Sequence, residues 1–145
     1  MSNPIYTAEA HVVGGREAGH GHTSDGRLDV DLRLPPEMGG DSPTGTNPEQ
    51  LFAVGWAACF EGALGAVARR RRVELGDVAI DAKVSLVPQP DRTFILSAAL
   101  DVTLGGIADA AEATAIVADA HQVCPYSNAT RGNIEVALTA NGQSV

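Results

Sequence analysis

The sequence predicts an α+β fold with antiparallel sheet, and three observations predict it. Five segments, at 5–13, 28–34, 78–86, 96–104 and 134–140, alternate apolar and polar residues or are rich in β-branched ones, as half-buried strands do. Two others, 46–72 and 108–123, read as helices. The order strand-strand-helix-strand-strand-helix-strand sets hairpins beside helices, and lacks the strict strand–helix alternation of a parallel sheet. A length of 145 residues suits one domain, 1–145, and 44% hydrophobic residues can build its core.

The first strand follows Pro4, where a missing N–H is tolerated. Residues 14–26 hold Gly14, Gly15, Gly19, Gly21 and Gly26, too many for regular structure throughout, and Asp25-Gly26 signals a turn. Leu28, Val30, Leu32 and Leu34 then alternate with Arg27, Asp29, Asp31 and Arg33, so residues 5–13 and 28–34 are expected to pair as a hairpin with a long connection. A proline- and glycine-rich loop, 35–45, leads to the central helix. Asn47 suits its N-cap, Pro48 its first position and Gln50 a capping box.

From Leu51 to Ala68 only Glu61 is charged, and a helix apolar nearly all round is expected to be buried nearly all round. Gly55, Gly62 and Gly65 each cost about 1 kcal/mol against alanine there; they imply close packing, or at Gly55 a bend. Arg69 to Arg72 complement the negative end of the helix dipole. Strands at 78–86 and 96–104 flank a Pro88-Gln89-Pro90-Asp91 turn as a second hairpin. The helix over 108–123 puts Ala113, Ile116, Val117, Ala120, His121 and Cys124 near one face. Pro125 limits it, and a last short strand follows.

Composition narrows the function. The net charge of −8 argues against a nucleic-acid partner, so the arginine run reads as a solvated helix end. Residues 1–10 lack a basic n-region and an apolar h-region, so no signal peptide is expected. The apolar helix, broken by glycines and followed by arginines, is a weak membrane span. The expectation is a cytoplasmic protein, whose two cysteines would form no permanent structural bridge. Cys59 and Cys124 stand too far apart in sequence for a Cys-x-x-Cys pair.

Cysteine attacks as thiolate. Cys59, in mid-helix, should have its pKa raised by burial and lies beyond reach of its own helix N-terminus, so a reactive Cys59 needs a cation. Arg16, in the glycine-rich connection, is the first candidate because no strand pattern accounts for it; Arg131 is the second. Cys124 falls at the negative end of the second helix. One cysteine could therefore form a sulfenic acid and the other condense with it. Ordinary core cysteines would give the same two letters. Other candidates are weaker: His20-x-His22 offers two metal ligands on a connection with no third apparent, so no metal is expected; His121 reads as a helix-face residue; Ser127 lacks a nucleophile-elbow context.

Thr46-Asn47-Pro48-Glu49-Gln50-Leu51-Phe52 through Ala57-Ala58-Cys59-Phe60, with Val123-Cys124-Pro125-Tyr126-Ser127-Asn128-Ala129-Thr130-Arg131-Gly132-Asn133, resembles the organic hydroperoxide resistance (Ohr) family of the OsmC-like superfamily. The resemblance extends over essentially the whole chain, including Gly14-Gly15-Arg16 and Ser24-Asp25-Gly26-Arg27-Leu28. Trp56 departs from it, where the family often has tyrosine, and the histidines around Gly21 are unusual. The resemblance implies antiparallel hairpins packed on a long buried helix in an intertwined homodimer. It implies a thiol peroxidase that reduces organic and fatty-acid hydroperoxides to alcohols. Cys59 would be peroxidatic, Cys124 resolving, and Arg16 with Glu49 the activating pair. Dihydrolipoyl groups on a lipoylated protein would be the external reductant, with no bound cofactor. Phe52, Trp56, Phe60 and Tyr126, near the two cysteines in sequence, are expected to wall an apolar substrate site. A redox sensor or fatty-acid-binding domain on the same scaffold is the alternative. Ten residues of straight helix rise about 15 Å, so Glu49 reaches Cys59 only through a bend at Gly55 or from another subunit.

Overall fold

The computed structural model describes residues 2–145. Its contacts divide the chain into two compact units, the first ending at Leu51 and the second spanning Phe52–Val145.

The first unit holds a three-stranded antiparallel sheet of β1 (Ala10–Val13), β2 (Gly19–Thr23) and β3 (Asp29–Arg33), with β2 in the centre. The expected hairpin between 5–13 and 28–34 is therefore split: the histidine–glycine segment lies between them as a strand. Glycine is a poor strand former, but β2 is paired on both sides, Val12 opposite Gly21 and Gly21 opposite Val30. A side chain at 21 would press on Val12, 3.3 Å away. Only the last four residues of the predicted first strand pair, and Ile5 and Tyr6 before them are exposed. A one-turn helix, α1 (Gly15–Ala18), occupies the β1–β2 connection. Gly14 enters it at φ 75, and a Cβ there would lie 2.9 Å from the Ala18 carbonyl oxygen.

Thr46 bridges to β3, donating its N–H to Asp31 O and accepting from Arg33 N, and so sets the start of α2 (Pro48–Arg71). Asn47 caps it as expected, its Oδ1 accepting the Gln50 N–H at 2.9 Å. The capping box is not closed: the Gln50 Oε1 accepts from the Thr46 hydroxyl instead.

α2 runs without interruption through Gly55. Its far end is a Schellman turn, with Val73 N–H on Ala68 O and Arg72 at φ 56. In the second unit Trp56, Phe60, Leu64 and Val67 form one stripe of α2 buried in the core. The opposite stripe of Val54, Ala58 and Gly62 is exposed, Val54 to 71%. The helix is apolar all round but buried along one face, because a single sheet and one packing helix cover only one side. By length and hydropathy α2 is the one helix among the described residues that could cross a bilayer; its inner stripe instead builds this core.

The partners of that stripe come from a four-stranded sheet in the order β4 (Val78–Pro88), β5 (Phe94–Leu104), β6 (Val136–Ala140), β7 (Gln143–Ser144), and from α3 (Ala110–Val123). β4 and β5 form the predicted hairpin, from Val78 opposite Leu104 to Pro88 opposite Phe94. The sheet is not wholly antiparallel: β6 runs parallel to β5, since the α3 crossover returns the chain in the same direction. Asp109 caps α3 by accepting the Glu112 N–H. Leu100, Val102, Ile116 and Val117 are essentially fully buried, each contributing about 1.5–3 kcal/mol by leaving water. A second short helix, α4 (Pro125–Thr130), follows α3 directly.

Candidate active site

The first unit contributes an arginine–carboxylate pair. The α1 turn presents Arg16, whose Nη2 donates to Glu49 Oε1 at 2.7 Å. Glu49 sits in the first turn of α2, where the helix dipole favours a carboxylate. The side chains are 32% and 16% exposed, so the pair is partly withdrawn from water. The contact is single, through one nitrogen and one oxygen; the second terminal nitrogen of Arg16 lies 3.8 Å from the Met38 sulfur.

The second unit brings the two cysteines together. Both are free thiols, and the Cys124 Sγ lies 3.6 Å from the Cys59 Sγ. A disulfide needs about 2.05 Å, so the two sulfurs are neighbours that are not bonded. Cys59 is half-buried and Cys124 has no exposed surface, which leaves Cys59 as the sulfur an incoming molecule meets. Burial pushes the Cys59 thiol above its ordinary pKa, the backbone N–H of Tyr126 pulls it down, and the neighbouring Cys124 pushes it up again.

The Tyr126 N–H is a feature that sequence reasoning missed. The sequence reads Pro125 as the stop of α3. It is also the first residue of α4, where proline is favoured. Cys124 (φ −63, ψ 122) is therefore both the last cap of α3 and the first cap of α4. The first N–H that α4 can offer is that of Tyr126, and it favours the Cys59 thiolate. Arg131 is otherwise engaged, donating to the carbonyl of His121 and, at 2.9 Å, to Asn128 Oδ1.

The four aromatic residues divide into two pairs. Phe52 packs edge-on against Trp56 (5.6 Å between ring centres) and Tyr126 (5.7 Å). Phe52 is half-buried and Tyr126 partly exposed, whereas Trp56 and Phe60 have no exposed surface. Trp56 Nε1 donates to the buried Ser127 Oγ at 3.3 Å, which accounts for both residues. Phe52 and Tyr126 can touch a ligand; Trp56 backs them and Phe60 belongs to the core. Gly55 makes this packing possible, since a Cβ there would stand 3.0 Å from the Tyr126 hydroxyl. Gly62 meets nothing within 4 Å, so close packing within the chain explains only one of these two glycines.

His121 lies in the last turn of α3 with Nδ1 buried and unpartnered. Among the described residues no three metal-ligating groups converge on a ready-made centre.

An OsmC-like protein family profile matches residues 39–139. The organic hydroperoxide resistance protein of Xanthomonas axonopodis pv. citri is 51% identical over 143 residues, covering 96% of this chain and 99% of that protein. The organic hydroperoxide resistance protein OhrA of Bacillus subtilis is 45% identical over 140 residues, covering 95% and 97%. Among solved structures, a putative organic hydroperoxide resistance protein of Vibrio cholerae, with captopril bound in one of its active sites, superposes with a TM-score of 0.91. It is 45% identical and covers 99% of this chain and 96% of its own. These likenesses run the length of the chain, and it belongs to the organic hydroperoxide resistance family of OsmC-like proteins.

Proposed function

We propose that this chain is a cysteine-based peroxidase that reduces organic and fatty-acid hydroperoxides to alcohols. The observation that carries the reading is the pair of free thiols 3.6 Å apart, one half-buried and one fully buried. The organic hydroperoxide resistance named for its relatives supports the substrate class.

The Cys59 thiolate attacks the outer peroxide oxygen. The O–O bond breaks, Cys59 becomes a sulfenic acid, and the alkoxide leaves as an alcohol after taking a proton. The Cys124 sulfur then attacks the sulfenic sulfur, forming the disulfide and releasing water. A dithiol returns two electrons and two protons to restore both thiols. Because Cys124 is inaccessible, the reductant must approach from the Cys59 side, which suits a slim dihydrolipoyl arm on a lipoylated protein. Phe52 and Tyr126 favour a substrate with an apolar tail, at about 0.8 kcal/mol per buried methylene.

Arg16 and Glu49 form the activating pair, with the guanidinium offsetting both thiolate charge and charge developing on the leaving oxygen. Ten residues of straight helix, the spacing of Glu49 and Cys59 in the sequence, rise about 15 Å. The pair therefore serves a thiol across an intertwined homodimer, which would also cover the open Val54–Ala58–Gly62 stripe. Once the disulfide forms, a guanidinium beside neutral sulfur is costly, and the α1 turn swings outward. The setting is cytoplasmic, where thiols are kept reduced.

Steady-state consumption of cumene hydroperoxide with dihydrolipoamide tests this. Multiple turnovers, with far lower efficiency toward hydrogen peroxide, are expected. One equivalent consumed and then arrest would identify a redox sensor, and no loss of thiols would leave a binding domain.

A further inference from the structure

The exposed face of the β1–β2–β3 sheet carries histidines that the peroxidase reading does not use. His11 and His22 stand opposite each other across β1 and β2, with ring centres 5.8 Å apart. His20, two residues before His22 on the same face, has its ring 6.3 Å from that of His22. The sequence put His20 and His22 on an irregular connection without a third ligand. The strand pairing supplies one.

The three imidazoles are not equivalent. His20 is fully engaged, its Nδ1 2.9 Å from Asp31 Oδ1 and its Nε2 3.0 Å from Asp29 Oδ1. His22 Nδ1 lies 3.2 Å from the Thr23 carbonyl oxygen; donating there leaves the Nε2 lone pair outward. That is the arrangement by which metal-bound histidines are held. His11 has no hydrogen bond among the described residues. A cavity of about 220 Å³ opens over these two, lined by Glu9, Ala10, His11, His22 and Ser24, so an acidic residue borders the same space.

We infer that His11, His22 and Glu9 form a surface site for a first-row divalent transition-metal ion such as Zn²⁺, a role separate from the thiol chemistry. Two imidazoles and a carboxylate are a common ligand set for such ions. Ring centres of two histidines sharing a tetrahedral ion stand about 5 Å apart, from metal–nitrogen distances of roughly 2.0–2.1 Å. The 5.8 Å of the His11–His22 pair thus asks for a small adjustment, which the exposed His11 ring can make while His22 keeps its bond to the Thr23 carbonyl. The three ligands do not yet converge, so the ion itself organises the site. The net charge of −8 favours a cation's approach.

Titration calorimetry with Zn²⁺ alone tests this on the full chain. Because thiolates also take zinc, the parent is the Cys59→Ser/Cys124→Ser chain. One Zn²⁺ per chain is expected, weakened at least tenfold by His11→Ala or His22→Ala, less by Glu9→Gln, and within twofold by His20→Ala. In that same thiol-free chain with all four histidines kept, Zn²⁺ should shift the ring resonances of His11 and His22 and leave those of His20 and His121 in place. No uptake by the thiol-free chain, equal affinity in His11→Ala and its parent, or shifts confined to His20 would each overturn the site.

Discussion

The unit ending at Leu51 and the unit starting at Phe52 use apolar residues in opposite ways. The second gathers them: Trp56, Phe60, Leu100 and Ile116 sit in one cluster with Cys124 among them. The first leaves them open: Leu32 is its one buried hydrophobic residue among those described, while Ile5, Val12, Val13 and Leu28 are exposed. The Cys124 thiol is thus fixed by packing on all sides. Arg16 is fixed by a tight turn and one ion pair. On the proposed mechanism, the difference sets the thiols where packing fixes their geometry and the activating charge where a turn can move it.

The largest effect expected from this contrast is on the thiols. Cys59→Ser should abolish hydroperoxide turnover. Cys124→Ser should permit one round and leave a sulfenic acid open to overoxidation, because the half-buried sulfur remains in place. Single-turnover assays with thiol counting distinguish them, and identical behaviour would break the assignment of roles.

Stability should follow the same division. Trp56→Ala removes a fully buried ring and its bond to Ser127, and should cost about 3–5 kcal/mol in denaturant melts. Val12→Ala in the exposed β1 should stay within about 0.5 kcal/mol. A large Val12 effect confined to high protein concentration would mean that a second copy covers the sheet of the first unit.

How much of this was legible in the sequence depends on whether local rules settled the matter. The α2 start was legible because Asn47 and Pro48 act within one turn. So was the β4–β5 hairpin, where period-two alternation continues on both sides of a proline turn. β2 was not, because Gly19, Gly21 and two histidines make a strand only when paired on both edges. α4 was hidden because Pro125 both stops one helix and starts the next. The open stripe of α2 is what an apolar circumference wider than one chain's sheets can cover leads one to expect, since apolar letters show what can be buried and not which chain covers it. Of the proposed activating pair, Arg16 stood out as a cation that no strand explained; Glu49 was visible only through resemblance, its helix position being ordinary for a carboxylate. The Tyr126 N–H carries no side-chain signature at all.

Arg16→Lys tests the first unit directly. Charge is kept, but an ammonium lacks the planar fork that could face a carboxylate and a sulfur together. A loss of roughly tenfold in catalytic efficiency is expected, about 1.4 kcal/mol of transition-state stabilisation. Arg71→Lys, at an exposed pair with Asp119, should change little. Equal losses would mean that the Arg16 turn serves the fold rather than the chemistry.

The smallest expected effect lies in the second unit, at His121. Its Nδ1 is buried without a partner, and the Arg131 guanidinium donates to the carbonyl of the same residue. Burial first, and the arginine charge second, hold its pKa below the ordinary 6.5. The folded chain therefore resists a proton that the unfolded chain accepts. Above pH 6.5 neither state is protonated there and the contribution to stability is complete. As pH falls from 6.5 toward the depressed folded value, the unfolded state binds more protons and stability declines. His121→Gln removes the titration while keeping a polar side chain. Urea midpoints followed from about pH 8 to pH 5 should fall less steeply for this variant than for the parent. The other three histidines lie in the first unit, at 11, 20 and 22, and are common to both chains, so their titration cancels in the difference. Parallel curves would show that the core around Cys124 admits a charge at its edge, and the contrast between a closed unit and an open one would then stop short of α3.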